Sequence, residues 1–330
     1  MRNPAKKLIL GVDVGGTKVA AGLVESSGRI LTSSRTPMIA QESANRGLRA
    51  VYDAIDGVLR DTRAKNVGGI GVCVPGWVDF HRGTVIKAAN LPCWRNFPLA
   101  RKISNHYNLP TQIANDADAA ALAEATWGAG TKTENVFYVS LGTGIGTGMV
   151  IDHRIQLGHG GSAFEGGHMT INFDGPACPC GKRGCIEMYS SGTAIARIAR
   201  ELLSGSGPRR TSGAKMVALA GGDIETITSE TVSKAAAAGD ELAAQVLEEA
   251  SDHLAIWLGN IIDLLEPGII VVGGGTGRLM MRYVQRMRKQ FDRWSINPRQ
   301  KKVAIVAARY GSESALVGAA ALCILEASRQ

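Results

Sequence analysis

Residues 8–24, LILGVDVGGTKVAAGLV, decide the fold. Two apolar runs flank the pair Gly15 and Gly16, so the pattern predicts two β-strands joined by a tight glycine turn. A Walker-type phosphate loop and a dinucleotide fingerprint both open a helix, whereas this turn leads into a second strand. The segment therefore belongs to neither of those nucleotide-binding motifs.

The turn nonetheless has the chemistry that a phosphate group requires. Backbone N–H groups at Gly15 and Gly16 can converge on an anion, because neither residue has a side chain in the way. Thr17 adds a hydroxyl donor and Lys18 adds a positive charge. Asp13, just before the glycines, is a suitable ligand for Mg²⁺. We expect these residues to bind the phosphates of a nucleotide and its metal ion.

The same layout recurs in residues 135–160, NVFYVSLGTGIGTGMVIDHRIQLGHG. A strand, a glycine turn and a second strand follow one another again, at an offset of roughly 128 residues. Gly142 and Gly144 repeat the glycine pair, and Thr143 supplies the hydroxyl. The repeat predicts two similar α/β halves that face each other across a cleft.

Apolar periodicity predicts the elements between and after these hairpins. Residues 67–76 are typical of a buried strand, and residues 109–128 of a short strand followed by an alanine-rich helix. Helices are predicted at residues 43–62, 240–265 and 312–328. A further strand at residues 269–275, IIVVGGG, ends in a glycine run. We expect this run to form a flat backbone surface on which a base or ribose could lie, at Gly274 and Gly275.

The composition is that of a protein with a full hydrophobic core. Hydrophobic residues make up 45% of the 330 residues, and no apolar run reaches the roughly 20 residues that span a membrane. The first apolar run breaks at Asp13, so no signal peptide is predicted and we expect a cytoplasmic protein. Six cysteines are too few for a disulfide scaffold. Three of them lie in apolar settings and are interpreted as core residues: Cys73, Cys93 and Cys323.

The net charge of +8 raises the question of a nucleic-acid partner. Most of the excess positive charge lies within residues 278–302, which are typical of a helix followed by a loop. We interpret this run as a solvated face and expect no nucleic acid and no membrane as partner. Weak attraction for anionic ligands, or contacts with another subunit, are the alternatives.

Residues 165–187, EGGHMTINFDGPACPCGKRGCIE, concentrate potential metal ligands. Cys178, Cys180 and Cys185 together with His168 make a Cys₃His set, the composition of a closed structural zinc site. A disulfide would leave one of the three cysteines unpaired, and thiolates stay available for metal in a reducing cytosol. We therefore predict a structural Zn²⁺ at these residues.

Asn115 and Asp116 lie between the predicted strand and the alanine-rich helix. An Asp at such a position is commonly the N-cap of the helix. A carboxylate there could also accept the proton of a substrate hydroxyl. The residues alone leave both interpretations open.

Taken in order, the motifs resemble those of the ROK family of sugar kinases and sugar-responsive repressors. They are DxGGTK, NDxx, GTGxG, ExGH, CxCGxxGCxE and VVGGG, and they cover nearly the whole chain. The resemblance implies the actin-like ATPase fold, a duplicated, ribonuclease H-like α/β architecture with two domains around a cleft for ATP and sugar. We expect residues 1–114 with 312–330 to form the small domain, and residues 115–311 the large domain with the zinc-binding loop. Because ROK proteins are commonly dimers or tetramers, we also expect a homo-oligomer.

The resemblance assigns the catalytic residue. Asp116 corresponds to the family's catalytic base, and Asn115 to a ligand of a sugar hydroxyl. The family usually has Asn two residues after the base, where this chain has Asp118. Asp118 therefore introduces a second carboxylate close to the expected base.

The same resemblance implies the sugar pocket. Glu165, His168 and Glu187 correspond to ligands of sugar hydroxyls. One nitrogen of His168 would bind zinc while the other donates to the sugar, so the metal would shape the pocket and do no chemistry. Gly76 and Asn90 are expected to complete the pocket.

The sequence is most similar to ROK glucokinases, which implies ATP-dependent phosphorylation of glucose at its 6-hydroxyl. Kinases acting on N-acetylmannosamine, N-acetylglucosamine or fructose are alternatives, because the same three sugar ligands serve them. A non-catalytic sugar-sensing regulator is another alternative. Such repressors carry a helix-turn-helix segment before the first strand, for which we expect no room ahead of Leu8. A glucokinase that uses polyphosphate is a further alternative. It is disfavoured, because such relatives generally lack the cysteine motif that this chain contains.

Overall fold

The computed structural model describes residues 8–61, 66–204 and 212–327. The chain divides into two compact units. Unit 1 comprises Met1–Tyr138, Gly148–Phe164 and Ala308–Gln330. Unit 2 comprises Val139–Thr147 and Glu165–Ala307. The domain boundaries expected from the sequence remain a prediction.

The strands and helices alternate along the described chain, as expected for an α/β protein. The strands are β1 (Leu8–Val14), β2 (Lys18–Val24), β3 (Ile30–Pro37), β4 (Val67–Val74), β5 (Trp77–Asp79), β6 (Thr84–Lys87), β7 (Arg95–Phe97), β8 (Thr111–Asn115), β9 (Asn135–Leu141), β10 (Ile145–Ile151), β11 (Arg154–Ile155), β12 (Ile269–Gly273) and β13 (Ala304–Ala307). The helices are α1 (Ala44–Leu59), α2 (Leu99–Tyr107), α3 (Asp116–Thr126), α4 (Glu187–Ser190), α5 (Gly192–Ser204), α6 (Ala214–Leu219), α7 (Ser229–Ala237), α8 (Glu241–Leu265), α9 (Gly275–Met280), α10 (Val284–Trp294) and α11 (Ser314–Ala327).

Unit 1 contains a five-stranded sheet in the order β3-β2-β1-β4-β8. The hairpin strands β1, β2 and β3 pair antiparallel, whereas β4 lies parallel to β1 and β8 parallel to β4. Asp13 therefore pairs with Cys73, and Val74 pairs with Asn115. The carboxyl ends of β1, β4 and β8 meet at one edge of the sheet, and this edge carries the candidate catalytic residues.

The second sheet repeats this arrangement in the order β11-β10-β9-β12-β13. In both sheets the first strand is central, its hairpin partner lies on one side and two later strands lie on the other. The hairpins also match in length, because β1, β2, β9 and β10 have seven residues each. The equivalence pairs Asp13 with Ser140 and Lys18 with Ile145. The duplicated α/β fold predicted from the sequence is confirmed.

The predicted helices form where capping and apolar periodicity place them. Ser43 caps α1 by accepting from the backbone N–H of Arg46, and Asp240 caps α8 by accepting from that of Ala243. The alanine-rich α3 is buried on nearly every face, so its composition reflects close packing. A Cβ on Gly318 of α11 would overlap the carbonyl oxygen of Ala119 in α3. Small residues are therefore needed where these two helices meet.

A buried carboxylate holds α3 to the start of α11 and to the segment before it. Glu124 is fully buried and accepts from the backbone N–H groups of Arg309 and Tyr310 and from the hydroxyl of Ser314. These bonds compensate the loss of water around the carboxylate. Among the helices of the described residues, none is long and apolar enough to cross a membrane.

Candidate active site

The glycine turn of unit 1 lies between β1 and β2 and is closed by a hydrogen bond from Gly15 N–H to the carbonyl oxygen of Lys18, at 2.9 Å. Thr17 and Lys18 are exposed next to it, and Asp13 is partly buried at the end of β1. Removal from water raises the pKa of Asp13, while a hydrogen bond from Cys73 and the charge of Lys18 act in the opposite direction. A carboxylate with so little compensation beside an open turn fits a site for a divalent cation.

Cys73 is fully buried in the core, as its apolar neighbours in sequence predicted, and it also makes a polar contact that the sequence did not indicate. Its sulfur lies 3.6 Å from Asp13 Oδ1 and 3.4 Å from the carbonyl oxygen of Ala315. Burial, together with the charges of Asp13 and Asp116, raises the pKa of the Cys73 thiol well above its usual range. The thiol is therefore a neutral donor to Asp13. No sequence signal identified this contact, because it depends on the register of β1 against β4.

Asn115 and Asp116 stand at the junction of β8 and α3. The N-cap of α3 is Asn115, whose Oδ1 accepts from the N–H groups of Ala117 at 2.8 Å and Asp118 at 3.4 Å. The interpretation of Asp116 as the cap is therefore wrong. Asp116 is the first residue of the helix, and its Oδ1 accepts from the N–H of Ala117 at 2.9 Å.

Within unit 1, two further predicted sugar ligands contact residues already described: Gly76 contacts Asn115, and Asn90 contacts the glycine turn. Asn115 Nδ2 donates to the carbonyl oxygen of Gly76 at 2.9 Å. Gly76 has φ +85°, and a Cβ there would lie 2.8 Å from Ala88 Cα, so glycine is required. Exposed Asn90 lies against Gly16, where a Cβ would come within 2.8 Å of the Asn90 carbonyl oxygen. The structure thus connects Asn90 to the turn and Gly76 to Asn115.

The glycine turn of unit 2 lies between β9 and β10 and is fixed from behind. The carbonyl oxygen of Gly142 accepts from the N–H of Gly192 at 2.7 Å and from the hydroxyl of Thr276 at 3.4 Å. Thr143 is exposed, and a Cβ on Gly142 would meet no atom within 4 Å. The open side of this turn therefore has room for a ligand.

Residues 269–275, IIVVGGG, lie beside the glycine turn of unit 2. Their backbone conformation differs from the one expected from the sequence. They form a strand-to-helix turn, in which Gly274 caps α9 with φ +83°, and not a flat backbone surface. A Cβ on Gly274 would overlap the carbonyl oxygen of Leu141, whereas a Cβ on Gly275 would meet no atom within 4 Å. Gly275 and Gly142 thus both face open space, as nucleotide-binding glycines require.

A tight turn packs against β10 and is formed by residues 165–168. Residues Gly166–His168 make a short 3₁₀ helix, and Gly166 N–H donates to the hydroxyl of Thr147 at 2.9 Å. A Cβ on Gly167 would overlap the carbonyl oxygen of Ile145, so the pair of glycines permits this approach. The turn leaves Glu165 exposed and His168 half-buried.

The cysteines of the following loop converge on His168. One ligand atom each from His168, Cys178, Cys180 and Cys185 lies within 4.8 Å of the others. His168 Nδ1 is 3.6 Å from Cys178 Sγ, and the sulfurs of Cys180 and Cys185 are 3.7 Å apart. Ligands around a tetrahedral zinc ion with Zn–S bonds of about 2.3 Å lie about 3.8 Å apart. The cluster therefore has the composition and spacing of a structural zinc site.

Without the ion, these thiols differ in acidity. Burial raises the pKa of Cys178, and burial with the sulfurs of Cys180 and Cys178 raises that of Cys185 to about 12. The pKa of Cys180 is lowered, because burial is outweighed by hydrogen bonds from the Lys182 backbone and the neighbouring sulfurs. A bound cation would convert all three to thiolates.

Glu187 links this loop to the glycine turn of unit 2. It is the first residue of α4 and is half-buried, and its Oε2 accepts from the N–H of Ile145 at 2.7 Å. A Cβ on Gly144 would overlap the same oxygen. The sequence predicted Glu187 as a sugar ligand and did not indicate this contact with the turn.

The comparisons with known proteins agree on one family. The ROK family profile matches residues 9–326. A glucokinase of Streptomyces coelicolor is 34% identical over 317 residues, which cover 96% of this chain and 97% of the relative. A xylose repressor of Caldicellulosiruptor bescii is 27% identical and aligns over 96% of this chain and 78% of its own length.

A solved structure extends this similarity to the fold. The ROK family glucokinase from Streptomyces griseus, in complex with glucose and AMPPNP, has a TM-score of 0.81 and 34% identity, with 96% of this chain and 98% of that chain covered. The actin-like fold expected from the motifs is thereby confirmed. With a family match over nearly the whole chain and 34% identity to glucokinases, the chain belongs to the ROK family.

Proposed function

We propose that the chain is an ATP-dependent sugar kinase that phosphorylates glucose at its 6-hydroxyl. The observation that carries this proposal is the 34% identity, over nearly the full length of both chains, to a glucokinase structure that contains glucose and an ATP analogue. It is supported by the presence in this chain of both glycine turns and of the carboxylate at the start of α3.

Asp116 accepts the proton of the attacking hydroxyl. Its carboxylate lies at the first turn of α3, where Oδ1 accepts from the N–H of Ala117, while Asn115 caps the helix. General-base assistance of this kind contributes about 10²–10⁴ in rate, or roughly 3–5 kcal/mol. The 6-hydroxyl is the only primary alcohol of glucose, so it can extend from the ring towards the base and the γ-phosphate.

The ring hydroxyls are bound by the remaining predicted sugar ligands. Glu165 and Glu187 accept from hydroxyls, and Asn90 and Asn115 bind others, with Gly76 holding the Asn115 amide. His168 donates through Nε2, because its Nδ1 faces the cysteine sulfurs. A pocket built on such bonds discriminates against sugars that lack or invert one hydroxyl.

ATP binds through its phosphates to Gly15, Gly16, Thr17 and Lys18 and to Gly142, Thr143 and Gly144. Gly274 and Gly275 contact its nucleoside. When bound, Mg²⁺ at Asp13 neutralises phosphate charge, and Zn²⁺ in the Cys₃His cluster rigidifies the loop that carries His168 and Glu187. Asp116 and the sugar ligands perform the proton transfer and the positioning.

A sugar-sensing regulator is the second candidate, because a xylose repressor aligns over 96% of the chain. Asp116 and the two complete glycine turns favour catalysis, since a regulator needs neither a base nor a phosphoryl donor. Within the kinase proposal, N-acetylmannosamine, N-acetylglucosamine and fructose are the competing substrates. We further propose that the enzyme acts in the cytoplasm as a homodimer or tetramer and supplies glucose 6-phosphate to glycolysis.

The test is a coupled ADP-release assay with ATP and Mg²⁺ across these sugars and mannose. We expect the highest kcat/KM with glucose and a lower value with mannose, in which one hydroxyl is inverted. A higher kcat/KM for an N-acetyl sugar would overturn the glucose assignment and leave the kinase assignment intact. No ADP release with any sugar, from protein that binds glucose, would favour the regulator.

A further inference from the structure

Glu187 makes two kinds of contact that the sugar-ligand role does not require. Its Oε2 accepts from Ile145 N–H at 2.7 Å, and a Cβ on Gly144 would overlap this oxygen, so a side chain there would require the carboxylate to move. Ile145 is the first residue of β10, directly after the glycine turn of residues 142–144. The carboxylate thus anchors the point at which the turn re-enters the sheet.

The two oxygens of Glu187 are used differently. Oε2 is occupied by the backbone donor, whereas Oε1 has no hydrogen-bond partner among residues 8–61, 66–204 and 212–327. A carboxylate can accept at both oxygens, and a bond from a backbone N–H to a charged acceptor is among the stronger ones. Oε1 therefore remains for a sugar hydroxyl while Oε2 holds the turn.

We propose that Glu187 is a positioning residue that couples the two substrates of the reaction, an inference that rests on the sugar-kinase function proposed above. One oxygen of its carboxylate sets the conformation of the turn that binds nucleotide phosphates, and the other binds the sugar. Ordering of the side chain by either substrate orders the site of the other.

The glycine turn of unit 1 supports the same logic independently. There Gly16 lies against Asn90, another predicted sugar ligand. A Cβ added to Gly16 would lie 2.8 Å from the carbonyl oxygen of Asn90. In each unit, therefore, a glycine of the phosphate turn is packed against a predicted sugar ligand. The contact at Glu187 differs in that a hydrogen bond to the turn accompanies the packing.

The first experiment measures the affinity for AMPPNP with Mg²⁺ by calorimetry, in the absence of sugar. Glu187→Ala is expected to weaken AMPPNP binding about tenfold, because the turn loses its anchor. Glu187→Gln is expected to stay within about threefold of the wild type, since its amide oxygen can still accept from Ile145 N–H. The matched control is Glu165→Ala, which removes an exposed predicted sugar ligand and is expected to leave AMPPNP affinity unchanged. All three variants should bind glucose more weakly.

The reciprocal experiment changes the turn and measures glucose affinity without nucleotide. Gly144→Ala displaces the Glu187 carboxylate by steric overlap and is expected to weaken glucose binding about fivefold or more. Gly142→Ala, in the same turn, meets no atom within 4 Å and is expected to leave glucose affinity unchanged. This pair keeps the inference testable even if Glu187→Ala fails to fold.

The outcomes separate the inference from the proposed function. Wild-type AMPPNP affinity in Glu187→Ala, or equal glucose affinity in Gly144→Ala and Gly142→Ala, would overturn the coupling role and leave the kinase assignment standing. An equal loss of AMPPNP affinity in Glu187→Gln and Glu187→Ala would also overturn it. Failure of the wild-type protein to bind AMPPNP at all would overturn both.

Discussion

The two glycine turns have the same backbone plan and different surroundings. Each joins two seven-residue strands, and each is closed by a hydrogen bond from its first glycine, to Lys18 in unit 1 and to Gly144 in unit 2. The turn of unit 1 is flanked by the charged Asp13 and Lys18, whereas the equivalent positions of unit 2 are Ser140 and Ile145. At the turn of unit 2, Glu187 of α4 contributes a carboxylate from outside the hairpin.

This difference shows how a duplicated fold separates tasks. The hairpin geometry that exposes backbone donors is common to both units, because it depends on glycine and strand pairing alone. The side chains at equivalent positions then differ, so that Asp13 and Asp116, the proposed cation ligand and the proposed base, lie on unit 1. Unit 2 has an uncharged turn that a neighbouring loop must support. The following changes test this division.

The largest effect is expected from Asp116→Asn in unit 1. The amide cannot accept the sugar proton, so kcat should fall about 10²–10⁴-fold while the thermal unfolding temperature stays close to that of the wild type. The kcat is measured by ADP release, and the unfolding temperature by a thermal melt. The control is Asp118→Asn, two residues along the same helix, which should keep kcat within a few fold. Near wild-type turnover in Asp116→Asn would remove this residue from the mechanism.

In unit 2, elemental analysis of the wild type should show about one zinc ion per chain. Cys185→Ser removes one of the four ligands and is expected to abolish zinc binding. Without the metal, His168 and Glu187 lose their support, so the KM for glucose should rise about tenfold. Cys93→Ser, outside the cluster, serves as the control and should keep both zinc and KM. Freshly purified wild-type protein that contains no metal would contradict the zinc assignment.

A smaller effect is expected from Gly142→Ala. Together with Gly16→Ala, this variant tests how open each of the two glycine turns is to a ligand. The added methyl group meets no protein atom, so stability should be unchanged, but it occupies space proposed for phosphate. We expect the KM for ATP to rise about three- to tenfold. In Gly16→Ala the methyl group would meet Asn90, so that variant should weaken ATP and glucose binding together. An unchanged KM for ATP in Gly142→Ala would move the phosphates away from this turn.

The smallest effect concerns the pH dependence of stability at Asp13. Removal from water raises the pKa of this carboxyl above its unfolded value of about 3.9. Its protonated form therefore contributes stability below the unfolded pKa, and this contribution is lost as the pH rises through the folded pKa. Without divalent cations, Asp13→Asn should melt at a higher temperature than the wild type at pH 7, and at the same temperature near pH 3. Equal melting temperatures at both pH values would show that the carboxylate is already compensated.

Much of the architecture could be predicted because strands, glycine turns and apolar periodicity are local features. The duplication, the helices at residues 44–59 and 241–265 and the convergence of four metal ligands all followed from spacing along the chain. The N-cap of α3 could not be assigned in this way, since both Asn115 and Asp116 are suitable caps, and only the extended backbone of Asn115 in the structure identifies it as the cap.

By itself, the sequence determined the repeated hairpins, the Cys₃His composition and the family, because each depends on residue types at short or regular spacing. Only the tertiary structure decided that Cys73 donates to Asp13, that Glu124 holds the segment before α11, and that Glu187 anchors the turn of unit 2. Each of these contacts joins residues far apart in the chain. Strand register and helix packing bring such residues together, and a linear pattern of hydrophobic and polar residues does not contain that information.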